Sequence, residues 1–251
     1  NPTPKQLDVL MAIHRRFNPV IDTREAAKEI GARVREELDY LREAKHAALY
    51  RHMLDGVNDS VVQARALGLR NYSVLVSHVC VPPAMHAILG SPHNRVQGFL
   101  AAGHVNAVMG YWEYPPIAEQ YGVPIVVTGF EPLDVLQGTQ MILRQLAEGL
   151  SEVENQYMRV VREQGNPLAL EAIAETMELR NTFEWRGLGF ISRSALRVSD
   201  EFSDFDAEVR FDVPGIRVAD PKACQCGEVL KGVIRPWECK VFGTACTPER
   251  P

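Results

Sequence analysis

Cys224-Gln-Cys226, Cys239 and Cys246 are the residues whose types and spacing speak most directly of chemistry. They are four of the five cysteines in the chain and fall within 23 of its 251 residues. Thiolates are soft ligands, and four of them suit an iron–sulfur cluster or a tetrahedral zinc ion. Gly227, Gly232, Pro236 and Gly243 lie between them, so a short loop can fold back and let separated sulfurs converge. The pattern is C-x-C, twelve residues, C, six residues, C, which differs from the paired C-x-x-C knuckles of a zinc ribbon. A metal-bearing loop is the leading reading. Disulfides or a redox dithiol are the rival, weakened because no secretory signal is visible.

His78, His104, Glu131 and Asp134 form a second candidate set. Each follows a short apolar run rich in β-branched residues, in Ser77-His78-Val79-Cys80, Gly103-His104-Val105 and Gly129-Phe130-Glu131-Pro132-Leu133-Asp134. In open α/β sheets ligands bind beyond the carboxyl ends of the strands, so these residues are expected along one edge. Each has an ordinary alternative: a hydrogen-bonded structural histidine, a helix cap at Asp134, turns at Gly103 and Gly129, a buried small hydrophobe at Cys80. The joint pattern carries more weight than any member.

The elements that must position these groups read as an α/β fold. Tyr72–Val76, Val96–Ala102 and Val123–Thr128 are expected as strands, and helix-length segments separate them, as in a parallel sheet with crossover helices. Their nearly continuous apolar runs fit strands buried on both faces. Pro132–Gly149 reads as an amphipathic helix with Leu133, Leu136, Met141, Leu143 and Leu146 on its buried face. Glu152–Glu163 and Leu168–Met177 read as two further helices, divided by Gly165-Asn166-Pro167. Trp185 with Gly187–Ile191 suggests a short strand and Glu208–Phe211 another.

Ahead of these a long amphipathic helix is expected. From Asp22 to Met53 the apolar positions Ala26, Ile30, Val34, Leu38, Leu41, Ala44 and Ala48 recur at three- and four-residue spacing, and Asp22 with Glu25 suits its start. Glu37 and Asp39, two apart, point in different directions on such a helix and make no obvious acid–base pair. The expected organisation is a helical segment over 1–55, an α/β domain over 56–150, and over 151–251 a helical region plus a small, irregular, Cys-rich cluster-binding region.

Composition bounds the rest. A formal charge of −5 gives no electrostatic case for nucleic acid. No apolar run approaches the roughly 20 residues that span a bilayer, so a soluble, cytoplasmic protein without a membrane partner is expected. Asn1 and Pro251 both look like cuts in a longer chain.

Two resemblances extend this reading. Asn18-Pro-Val-Ile-Asp22 and Arg35-Glu-Glu-Leu-Asp-Tyr-Leu-Arg-Glu-Ala44 resemble a UbiB-type atypical kinase segment over residues 1–53, with Glu37-Leu38-Asp39 as its Glu-x-Asp element. Lys45-His46 stands where that family has Asn, and no nucleotide-binding lysine or catalytic loop follows. A more extensive resemblance rests on Ser77-His-Val-Cys-Val-Pro-Pro-Ala-Met85, Gly98-Phe-Leu-Ala-Ala-Gly-His-Val105 and Thr128-Gly-Phe-Glu-Pro-Leu-Asp-Val-Leu-Gln-Gly138. Val153-Glu-Asn-Gln-Tyr157, Glu184-Trp-Arg-Gly-Leu-Gly189 and Cys226-Gly-Glu-Val-Leu230 continue it in order. Over about residues 56–251 the chain resembles the HypD family of [NiFe]-hydrogenase maturation proteins.

That resemblance implies a [4Fe-4S] cluster held by Cys224, Cys226, Cys239 and Cys246, with His78, His104 and Glu131 shaping a central cleft. It implies a metallocofactor-assembly scaffold with a redox function rather than a conventional turnover enzyme. Its partners would be a HypC-type chaperone and a HypE-type cyanide donor, and the hydrogenase large subunit indirectly. Departures matter. The family's Cys-Gly-Gly-His-Thr-His and Gly-Pro-Gly-Cys-Pro-Val-Cys segments do not occur here, the join to the family pattern falls near Leu54-Asp55-Gly56, and Cys224 is the least constant of the four cysteines. A zinc-stabilised interaction domain and a kinase-like regulatory protein are the alternatives.

Overall fold

The computed structural model describes residues 60–211 and 221–247. The helix expected over Asp22–Met53, and the segment 1–55 with it, lies outside the described residues. What is described is a mixed α/β arrangement built on a three-stranded parallel sheet.

β1 (Phe99–Ala102) pairs with β2 (Ile125–Thr128), and β2 pairs with β3 (Val153–Asn155), all parallel. β2 is central, and all four of its residues are buried, as the uninterrupted Ile-Val-Val-Thr run requires. α3 (Gly103–Met109) and α4 (Tyr114–Tyr121) cross from β1 to β2, and α5 (Pro132–Glu148) crosses from β2 to β3. On one face of the sheet Ile125 and Val127 pack with Ile117 and Ala118 of α4 and with Met85 and Leu89 of α2 (Val81–Leu89).

α5 packs closely along the sheet because Gly138 has no side chain. A Cβ there would stand 2.2 Å from Thr128 Cγ2 and 3.1 Å from Leu100 Cδ2. This choice of face overturns the expected one. Asp134, Gly138 and Gln145 are buried, while Leu136, Leu143 and Leu146 are exposed. Gln145 can be buried because its Nε2 donates to Glu154 Oε1 at 2.7 Å and its Oε1 accepts from the Glu152 N–H at 2.7 Å.

Three further expectations are corrected. Residues 152–163 do not form a helix: Val153–Asn155 add the third parallel strand, completing the hydrogen bonding of β2. Tyr72–Val76 do not join the sheet; Val74 makes an isolated parallel bridge to Asp206, and Val76 is buried in a second core with Val61, Ala64, Val198, Phe202 and Phe205. Glu208–Phe211 do not form a strand, because the Asp206 carboxylate accepts the Glu208 N–H at 2.8 Å and starts α7 (Ala207–Arg210).

The remaining elements follow the chain. α1 (Ser60–Ala66) contributes Val61 and Ala64 to the second core, and α6 (Pro167–Thr176) leads into β4 (Met177–Leu179). β4 pairs antiparallel with β7 (Leu196–Val198), and β5 (Thr182–Trp185) forms a hairpin with β6 (Gly189–Ser192). Asn166 caps α6, its Oδ1 accepting from the N–H groups of Leu168 and Ala169 at 3.2 and 3.4 Å. Asn166→Ala is expected to lower unfolding free energy by about 1 kcal/mol, read from the urea midpoint. No helix among the described residues is long and apolar enough to cross a membrane.

Candidate functional site

Three turns at the carboxyl ends of the parallel strands meet. β1 runs into Gly103-His104, β2 into Gly129–Asp134, and β3 into Gln156–Arg159. Gly103 is where the turns approach most closely: a Cβ there would lie 2.4 Å from the Thr128 carbonyl oxygen and 2.6 Å from Tyr157 Cδ1. His104 stacks on Phe130 with centroids 4.7 Å apart and an interplanar angle of 10°. The Tyr157 ring is tilted to His104 at 6.2 Å, and the Arg159 guanidinium lies 4.3 Å above that same Tyr157 ring.

Arg159 closes the group electrostatically. Its two terminal nitrogens reach Asp134 Oδ1 at 2.9 Å and Oδ2 at 2.6 Å, a bidentate pair, and Nη2 also lies 3.5 Å from Glu131 Oε2. Gln156 Nε2 donates to Asp134 Oδ1 at 2.7 Å and to Gln137 Oε1 at 2.9 Å. Burial pushes the Asp134 carboxyl up, but hydrogen bonds from Arg159, Glu131 and Gln156 outweigh it and hold Asp134 below the usual carboxylate range. The hydrogen bond with Asp134, followed by burial, pushes Glu131 up to about 7. Two carboxyls directly flanking Pro132–Leu133 are thus shifted in opposite directions, Glu131 up and Asp134 down. The arrangement sets an aromatic stack of His104 and Phe130 beside a carboxyl whose pKa is raised.

His104, Glu131 and Asp134 are therefore brought together as the sequence predicts. His78 is placed differently. Its expected position depended on a strand over 72–76 in the same sheet; instead Val79 bridges Ala195, and the His78 carbonyl accepts from the Leu196 N–H at 2.8 Å. Gln156, Tyr157 and Arg159 were missed as site residues, because a helix was read across them. Their signal was the run Val153-Glu-Asn-Gln-Tyr157, a strand-length segment ending in polar and aromatic groups.

The cysteine segment is a separate candidate. Cys224 donates its N–H to Pro221, Cys226 opens α8 (Cys226–Leu230), and Cys239 follows a 3-10 turn over Pro236–Glu238. Around Cys246 the chain doubles back: Cys246 N–H reaches the Val241 carbonyl and Gly243 N–H reaches the Cys246 carbonyl, both at 2.9 Å. Backbone N–H groups of Val241, Gln225 and Phe242 point at the Cys239 sulfur and hold its thiol below the ordinary thiol value.

All five cysteines keep their thiols, with no disulfide among the described residues. The donor chemistry, four thiols with backbone N–H groups lowering the pKa of one, fits a soft metal. The geometry does not: among the described residues no three His, Cys, Asp or Glu side chains converge closely enough to hold a metal ion. Metal binding at these cysteines requires the segment to close further.

Comparison with known proteins gives the family. The profile of the HypD family, described as the hydrogenase formation hypA family, matches residues 56–251. Hydrogenase maturation factor HypD of Azotobacter vinelandii is 46% identical over 196 residues, covering 76% of this chain and 52% of the relative. The protein of the same name from Cupriavidus necator is 46% identical over 195 residues, 75% of this chain and 52% of the relative. That of Escherichia coli K12 is 41% identical over 187 residues, 74% of this chain and 50% of the relative. The chain spans about half the length of the curated relatives it matches. The UbiB-type resemblance of residues 1–53 lies outside this match and outside the described residues, and nothing in these comparisons supports it. With the family's profile covering residues 56–251 and relatives above 40% identity along that span, the chain belongs to the HypD hydrogenase-formation family.

Proposed function

We propose that the chain acts in the maturation of [NiFe]-hydrogenase, as a HypD-like scaffold and electron relay for assembly of the Fe(CN)2CO group. The observation that carries this reading is the family match over residues 56–251, with relatives named as hydrogenase maturation factors. In this reading the protein works in the cytoplasm with a HypC-type chaperone and a HypE-type cyanide donor, upstream of the hydrogenase large subunit. Cys224, Cys226, Cys239 and Cys246 hold a [4Fe-4S] cluster. The backbone cradle that favours the Cys239 thiolate supports that assignment, since only the thiolate ligates. His104 and Glu131 line the substrate-facing edge of the sheet; His78 keeps its place in the proposed cleft only if the site extends beyond the three turns.

Anaerobic purification followed by iron, sulfide and zinc analysis and an absorption spectrum tests the cluster. About four irons with matching sulfide per chain are expected. Cys226→Ala is expected to abolish bound iron; a full complement of iron in that variant would sink the assignment. A second reading, structural zinc, is favoured by the same Cys239 cradle, because zinc also selects thiolate. About one zinc without sulfide in a colourless protein decides for it.

A further inference from the structure

We propose that Glu131 works as a neutral carboxylic acid, the proton donor of the sheet-edge site, and that Asp134 and Arg159 are the positioning pair that keeps it so. The proposal deepens the reading above, since it gives the same site its proton chemistry. Its physical basis is the hydrogen-bond inventory. An ionised carboxylate only accepts, so two carboxylates cannot bond to each other without a proton between them.

Here they are forced together. Both fold over Gly129, where a Cβ would stand 2.0 Å from Asp134 Oδ2 and 2.8 Å from Glu131 Oε2. The nearest cation is one guanidinium, and its geometry is unequal: both terminal nitrogens are committed to Asp134, at 2.6 and 2.9 Å, and only Nη2 reaches Glu131, at 3.5 Å. Gln156 adds a further donor to Asp134. Charge therefore settles on Asp134, whose side chain is 4% exposed, and the proton on Glu131, whose side chain is 42% exposed.

The other groups around the site are His104 from the start of α3, on the ring stack with Phe130, and Tyr157 beneath Arg159. At rest the Glu131 O–H donates to Asp134. When a ligand rests against the His104–Phe130 shelf, the O–H bond breaks and the proton goes to the ligand's nitrogen, oxygen or sulfur atom as a new bond forms there. Glu131 is left as a carboxylate beside Arg159 Nη2, and solvent returns the proton. No electrons are transferred. The ligand class is a small molecule or group whose reacting atom gains a proton as it is released or transferred.

Carbon-13 NMR of Glu-carboxyl-labelled protein tests the resting state directly. One glutamate is expected to titrate near 7, far above the rest, to vanish in Glu131→Gln, and to move down toward the ordinary value in Asp134→Asn. All glutamates titrating below about pH 5 would overturn the proposal. The titration does not depend on hydrogenase maturation or on any metal, so its failure is distinguishable from failure of that function. In a maturation assay with the full-length protein, the rate is expected to fall as pH rises through 7, and Glu131→Gln to be at least tenfold slower with that pH step removed. An unchanged rate and pH profile in Glu131→Gln would equally overturn it.

Discussion

Arg159→Ala is expected to lower unfolding free energy by about 2–3 kcal/mol. Breaking a fully buried ion pair by removing one partner costs about 3–5 kcal/mol, because it strands the other charge. The cost here is smaller because the Arg159 side chain is 36% exposed and water screens part of the interaction. It remains large because Asp134 is buried and would keep only Gln156 and Glu131 as partners.

The pH dependence of that loss has a fixed sign. Asp134 in the folded protein is held below its ordinary value, so the pair's contribution is present above the ordinary aspartate range and is lost as pH falls through the depressed value. Urea titrations of wild type and Arg159→Ala should therefore differ most near neutrality and converge on acidification. Glu131 contributes with the opposite sign. Its folded value is raised, so its contribution is complete below the ordinary glutamate value and is lost as pH rises through about 7. A gap between the two proteins that stays constant down to low pH would show that Asp134 does not carry the charge.

How much of this was legible beforehand follows from the type of signal each residue gave. β2 was readable because a central parallel strand buried on both faces leaves a continuous β-branched run, whereas β1 was legible only as a short apolar run. The clustering of His104, Glu131 and Asp134 followed from strand ends alone, since those ends share one edge of a parallel sheet. β3 left only a weak signal: Val153-Glu-Asn has a single apolar residue, and its strand identity comes from the free edge of β2. Arg159 and Gln156 were lost with it.

The buried face of α5 failed for a different reason. A periodic leucine stripe and a stripe of Asp134, Gly138 and Gln145 compete for the sheet, and hydrophobic burial alone favours the leucines. Close packing at Gly138 and satisfied partners for Asp134 and Gln145 reverse that choice, and none of those partners is visible within the helix itself. The cysteine segment shows the limit from the other side. Its four sulfur positions were obvious from composition, yet their distances depend on tertiary closure that spacing does not report.

Gly227→Ala is expected to displace Cys226 and, where the proposed metal binds at the cysteine segment, to weaken it by at least about tenfold, the scale of outer-shell substitutions at metal sites. The residue sits where two backbones touch. A Cβ on Gly227 would lie 2.1 Å from the Gly187 carbonyl oxygen, and one on Gly187 would lie 2.5 Å from Gly227 N and 2.6 Å from Cys226 Sγ. The atoms a Cβ on Gly227 would meet are all backbone atoms of Gly187, so the clash moves the main chain. Gly187 is held at φ +72, a conformation that costs other residues dearly, in the turn between β5 and β6. That turn is anchored in turn by its hairpin register and by the Trp185 indole N–H, which donates to Ser194 Oγ at 2.8 Å. The hairpin cannot yield easily, and the start of α8 must move instead, carrying Cys226 with it. Metal content and the alkylation rate of Cys226 in the metal-free protein read the two consequences separately. Faster alkylation with reduced metal is the expected pair of results; unchanged values for both would show that the contact between Gly187 and Gly227 does not set the position of the cysteine.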